Sequence, residues 1–100
     1  MKMGKKGKGG KMRASHILVD KHSQAVELIR RITVDGDDFG KIAKNYSTCS
    51  SKKNGGDLGW FTRGAMVKEF ERAVMNLTVG QVTREPVKTE FGYHIIKRTG

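Results

Sequence analysis

His16, Cys49 and His94 are the side chains in this sequence best suited to chemistry. Each histidine lies in an extended, β-branched stretch. By strand alternation His16 shares a face with Leu18, and His94 shares one with Ile96. A neutral imidazole has one donor and one acceptor nitrogen, so two such rings can hydrogen-bond each other if their strands pair. The pattern alone favours two unrelated strand histidines, each satisfied separately, and leaves the pair as the sharper alternative. Cys49 sits in Tyr46-Ser47-Thr48-Cys49-Ser50-Ser51. It reads either as a thiolate nucleophile or as a small buried apolar side chain, and no spacing decides between them. The three residues also amount to three metal ligands. They lack close ligand spacing, so no metal and no cofactor is expected. His22 reads as a loop residue.

A second feature is the stretch Asn54-Gly55-Gly56-Asp57-Leu58-Gly59-Trp60-Phe61-Thr62-Arg63-Gly64. Glycine is used where the backbone turns left-handed or approaches something closely. Large apolar side chains resist exposure. Leu58, Trp60 and Phe61, with Met66 and Phe70 close behind, therefore describe an ordered loop that delivers apolar groups to one place, which is how a binding pocket is built.

These residues need elements to hold them. Three segments carry apolar residues at i, i+3, i+4 and i+7, the spacing of one helix face. They are Ala25, Leu28, Ile29 and Ile32; Phe39, Ile42, Ala43 and Tyr46; and Phe70, Ala73, Val74 and Leu77. Ser23 is the expected N-cap of the first helix, and Asp37 or Asp38 of the second. Gly36 marks the turn between them, and Gly80 the turn after the third helix. Met12 to Val19, Gln81 to Lys88 and Gly92 to Arg98 read as strands, with a short fourth at Leu58 to Phe61. Pro86 makes the second of these an edge strand or a bulge. Helices segregated from an antiparallel sheet give an α+β fold.

One hundred residues make one domain with one modest core. A single cysteine rules out an internal disulfide and fits a reducing compartment. No apolar run approaches the roughly 20 residues needed to span a bilayer. A soluble, cytoplasmic monomer is the resulting expectation. The net charge is +10, and six positives, Lys2, Lys5, Lys6, Lys8, Lys11 and Arg13, precede the first acid, Asp20. Residues 1–11 are expected to be a disordered Lys/Gly-rich arm, and residues 12–100 the domain. The arm reads either as a tether for an anionic membrane surface or nucleic acid, or as a solubilising tail. A tether to lipid would make the protein peripheral at a membrane.

Five short motifs occur in an order that resembles the parvulins, peptidyl-prolyl cis/trans isomerases. They are Ser15-His16-Ile17-Leu18, Tyr46-Ser47 followed by Cys49, Gly55-Gly56-Asp57-Leu58-Gly59-Trp60, Arg63-Gly64-Ala65-Met66 and Phe91-Gly92-Tyr93-His94-Ile95-Ile96. The resemblance runs from about Arg13 to Arg98. It implies a four-stranded antiparallel sheet surrounded by about four helices, as in parvulins and FKBP-like folds, in the order β-α-α-α-β-α-β-β. It further implies a catalytic set of His16, Cys49, Thr89 and His94, with Thr89 hydrogen-bonding into the histidine pair. Leu58, Met66 and Phe70 become the proline pocket, with Phe61, Trp60 and Gln81 at its rim. The implied substrates are proline-containing polypeptides. Phospho-directed parvulins carry a long arginine-rich loop after the first strand. Here that connection is Asp20-Lys21-His22, so no strong phosphoserine or phosphothreonine preference is expected. The alternative from a different class is a basic binding or holdase module without catalysis.

Overall fold

A computed structural model describes residues 10–100. Residues 1–9, and with them Lys2, Lys5, Lys6 and Lys8 of the proposed tether, lie outside the described residues; Lys11 is exposed just before the first strand. The elements are β1 (Met12–Val19), α1 (His22–Thr33), α2 (Phe39–Tyr46), a 3-10 helix (Ser50–Asn54), β2 (Asp57–Phe61), α3 (Lys68–Met75), β3 (Val87–Thr89) and β4 (Gly92–Arg98). The strands form one antiparallel sheet in the order β2-β1-β4-β3. The 3-10 helix takes the third helical place, so the α+β order expected from the motifs holds.

Alternation along β1 and β4 sends side chains to two separate cores. Ile17, Val19 and Ile95 pack with Leu28, Ile29, Phe39 and Ile42 of α1 and α2. Met12, Ala14 and Ile96 pack with Phe61, Phe70 and Val74 on the α3 side. His16, Leu18 and His94 share the parity of Ala14 and Ile96, so they face α3.

Several local expectations change. Helix α1 begins at His22, one residue before Ser23, and Lys21 at its N-cap makes no side-chain cap bond. The His22 ring instead packs edge-on against Tyr93 at 5.4 Å, which ties the first helical turn to β4. Asp38 caps α2, accepting from the Lys41 N–H at 3.0 Å. Tyr46 is 39 % exposed, not in the core. Its ring lies under the Arg31 guanidinium at 5.4 Å. Helix α3 stops at Met75, two residues short of Leu77, which still packs on the core. The expected strand Gln81–Lys88 is reduced to Val87–Thr89 plus an isolated bridge between Val82 and Lys97. Pro86 cannot donate to a ladder, so pairing resumes only after it.

Candidate active-site cleft

His16 and His94 approach Nδ1 to Nδ1 at 2.9 Å in the interior, so the pair is real and the reading of two separate histidines is overturned. Register explains this. His16 opposes Ile96 and Leu18 opposes His94, which makes the imidazoles diagonal neighbours on one sheet face. The far nitrogen of His94, Nε2, is 2.7 Å from Thr89 Oγ1. Thr89 Oγ1 also accepts the Phe91 N–H at 3.1 Å.

Counting protons sets the direction of this chain. If the Thr89 hydroxyl donates to His94 Nε2, then His94 Nδ1–H donates to His16 Nδ1, and the His16 proton sits on Nε2. The reverse order leaves the Thr89 proton without an acceptor. His16 Nε2 is the one buried side-chain polar atom among the described residues with no hydrogen-bond partner. Phe70 stands edge-to-face on both imidazoles, with centroids at 5.6 Å from His16 and 5.4 Å from His94. Burial pushes both imidazoles down to about 4, with His94 adding to the effect on His16, so both rings are neutral at neutral pH.

Above the pair lies a cleft of about 380 Å³ lined by His16, Leu18, Cys49, Leu58, Ala65, Met66, Val67, Phe70, Phe91 and His94. Leu58, Met66 and Phe70 meet here as expected. Met66 precedes α3 and does not share a helix face with Phe70; the bend before Val67 carries it in. Phe70 is 3 % exposed and serves as both core and cleft floor.

Three expected rim residues, Phe61, Trp60 and Gln81, lie elsewhere. Phe61 is buried in the α3-side core, edge-to-face with Phe70 at 6.3 Å, beneath the cleft. Trp60 is 41 % exposed and opposes Arg13, so strand parity turns it to the other face of the sheet. In a regular strand Leu58 and Phe61, three apart, would also point to opposite faces. The register shift between Arg13 and Ser15 brings both to the α3 side. Gln81 is not at the rim. Its side chain accepts the Thr78 N–H at 2.8 Å, and it lines a separate hollow with Ile29, Ile32 and Arg84.

The glycine-rich loop is strapped to β1. Gly56 O accepts the His16 N–H at 2.9 Å. A Cβ on Gly56 would overlap His16 O, and its φ is +89°, so only glycine fits without strain. Asp57 takes two bonds from the Arg13 guanidinium, at 3.2 and 2.5 Å, and one from the Gly59 N–H at 2.9 Å. The Arg13 hydrogen bond, helped by Gly59, holds the Asp57 carboxyl below its usual range.

Cys49 is placed by Ser47. The buried Ser47 Oγ accepts from Leu18 N–H at 3.0 Å and from Cys49 N–H at 3.3 Å. Thr48 donates from its N–H to Leu18 O at 2.8 Å. Ser51 O–H donates to Cys49 Sγ at 3.3 Å. The segment thus covers the β1 edge that β2 leaves open and brings the thiol to the cleft wall.

Leu18, Ala65, Val67 and Phe91 are cleft residues that the motifs alone did not single out. Leu18 was legible from its shared face with His16. Phe91 stands at the head of the His94 motif, but an aromatic in a tight turn looks like any exposed hydrophobic, so no sequence feature assigned it a cleft role. Among the described residues no group of three His, Cys, Asp or Glu side chains is arranged to hold a metal. No helix among them is long and apolar enough to cross a membrane.

Residues 14–100 match the family model described as rotamase, PPIC-type PPIase domain. The chain is 57 % identical over 90 residues to foldase protein PrsA of Geobacillus sp. (strain WCH70), covering 89 % of this chain and 32 % of that protein. It thus spans about a third of the length of the curated relatives it matches. The crystal structure of PrsA from Bacillus anthracis aligns with a TM-score of 0.87 at 45 % identity, covering 90 % of this chain and 41 % of that chain. The solution structure of NmPin, the parvulin of Nitrosopumilus maritimus, aligns with a TM-score of 0.81 at 52 % identity, covering 94 % of this chain and all of that one.

Proposed function

Because this chain belongs to the parvulins, the PPIC-type peptidyl-prolyl cis/trans isomerase domains, we propose that it isomerises X–Pro bonds in polypeptides and so assists their folding. The observation that carries the reading is the cleft itself, an apolar pocket of Leu58, Met66 and Phe70 set against two neutral, buried imidazoles and a thiol.

Rotation about an X–Pro bond is opposed by the partial double bond of the amide, a barrier of about 18–20 kcal/mol. No bond needs to break. The enzyme must only bind the twisted amide better than the planar one, and each ~1.4 kcal/mol of preference is worth about tenfold in rate. The proline ring enters the Leu58–Met66–Phe70 pocket. The cleft strips water from the amide and removes the hydrogen bonds that favour its planar, charge-separated form. Cys49 lies where the carbonyl before proline would sit. We assign it a polar, electrostatic role and no covalent attack, since aspartate serves at the matching position in other parvulins. The Thr89–His94–His16 chain holds the shape of the floor and fixes the tautomers.

The substrate scope follows from the short connection after β1. The strand ends at Val19 and α1 begins at His22, so Asp20 and Lys21 are the whole loop. There is no arginine there to clamp a phosphate, which supports action without a strong phosphoserine or phosphothreonine preference. A cytoplasmic protein whose basic arm tethers it to an anionic surface is a separate proposal resting on charge alone. An isomerase assay on short X–Pro peptides tests the main reading. Acceleration of cis/trans exchange by the folded protein supports it, and no acceleration on any peptide refutes it. Deleting residues 1–11 should abolish salt-sensitive attachment to anionic vesicles and leave peptide isomerisation intact. Salt-sensitive attachment of the full chain with no acceleration of any peptide would instead favour the basic binding module.

A further inference from the structure

We propose that Phe91 is a specificity-determining residue of the cleft and that, with Leu18, it selects an apolar side chain immediately before proline. This rests on the isomerase reading of the same cleft. Phe91 occupies the tight turn between β3 and β4 and is 57 % exposed, although it is a large aromatic. It also lines the cleft together with Leu18 and Cys49. An aromatic held half in water at the mouth of an apolar groove gains by being covered, and a bound chain would cover it.

Its position is not a chance of loop geometry. The Phe91 N–H is bound by Thr89 Oγ1, the same hydroxyl that ends the histidine chain. The next residue, Gly92, lies against β1. A Cβ there would come within 2.7 Å of Val19 O and 3.3 Å of Leu18 Cδ1. The turn is therefore pressed onto β1 beside Leu18, and Phe91 and Leu18 form two apolar surfaces at one end of the cleft.

Direction along the substrate follows from the division of the cleft. Leu58, Met66 and Phe70 take the proline ring, and the carbonyl preceding proline faces Cys49. That carbonyl belongs to the residue before proline, so this residue's side chain is directed to the Cys49 end, where Leu18 and Phe91 stand. Exposed charges of both signs stand on the segments that form this end: Lys52 and Lys53 of the 3-10 helix after Cys49, which would favour an acid, and Glu90 next to Phe91, which would oppose one.

The test is kcat/KM for tetrapeptides that differ only before proline, with leucine, phenylalanine, alanine and glutamate, on the full chain and on Phe91→Ala and Phe91→Leu. For the unaltered chain leucine and phenylalanine should exceed alanine and glutamate by about tenfold. Phe91→Ala should shrink the leucine-to-alanine ratio to within about twofold, and Phe91→Leu should keep most of it. Because Phe91 is exposed, circular dichroism should show both variants folded. An unchanged ratio in folded Phe91→Ala overturns the proposal, as does a preference of the unaltered chain for glutamate. Absence of acceleration on every peptide by the unaltered chain refutes the isomerase reading itself, a result distinct from a flat ratio in an active enzyme.

Discussion

The Nδ1 atoms of His16 and His94 face each other at 2.9 Å, so one of two chemically identical nitrogens must carry the proton and the other must not. Thr89 breaks that symmetry. Its oxygen already accepts from Phe91 N–H, and donation to His94 Nε2 is the arrangement that gives the hydroxyl proton an acceptor. The prediction is that His94 is the Nδ1–H tautomer and His16 the Nε2–H tautomer at neutral pH. Long-range ¹⁵N–¹H correlation spectra of the imidazoles read this directly, and the opposite assignment would refute the proton count.

Thr89→Val keeps the shape and removes the hydroxyl. The buried His94 Nε2 and the Phe91 N–H both lose their partner, at a cost of about 1–3 kcal/mol for a buried unsatisfied group. Urea unfolding should show a loss in that range. A variant as stable as the parent would mean that the hydroxyl is dispensable.

The histidine pair makes stability depend on pH. Both imidazoles are held neutral, with folded values near 4 against 6.5 when exposed. The unfolded chain therefore binds more protons between these values. The stabilisation is full above pH 6.5 and is lost as the pH falls toward 4. Thermal melts should show Tm falling from pH 7 to pH 4.5, and the fall should shrink when both histidines are replaced by leucine. A Tm independent of pH over this window would contradict neutral burial.

Cys49→Asp tests the role of the thiol. An electrostatic role predicts a rate within about tenfold of the parent, which is ~1.4 kcal/mol of barrier. Obligatory attack by sulfur predicts loss of nearly all activity in a folded protein. Isomerase kinetics with circular dichroism on the same sample separate the two.

Gly56→Ala should harm more than Gly59→Ala. Both have positive φ, but a Cβ on Gly56 strikes the His16 carbonyl, whereas one on Gly59 meets nothing within 4 Å. Strain at Gly59 alone is worth about 1 kcal/mol, and the overlap at Gly56 adds to it. Gly56→Ala should also lower kcat/KM, because Gly56 O anchors the His16 backbone. Equal effects at both sites would show that backbone strain, not contact with His16, dominates.

The sequence by itself determined β1, β4, β2 and the three α-helices, but not the 3-10 helix or the short extent of β3. β1 and β4 were legible because the apolar runs Ile17-Leu18-Val19 and Ile95-Ile96 lie near turn signals, Asp20 after the first and Glu90-Phe91-Gly92 before the second. The helices were legible from apolar spacing, the loop offered Leu58, Trp60, Phe61, Met66 and Phe70 alike as pocket groups, and only the resemblance to the parvulins narrowed these to Leu58, Met66 and Phe70. Tertiary structure alone decided the rest. Whether His16 and His94 meet depends on the register of β1 against β4, which pairs Leu18 with His94 and is not encoded in either strand separately. Trp60 and Leu58, two apart, ought to share a face, yet one register shift opposite Arg13 and Ser15 sends Leu58 into the cleft and Trp60 away from it. Local periodicity tells which side chains share a face of one element. Only the pairing of distant strands, and the irregularities in that pairing, tells which faces come together.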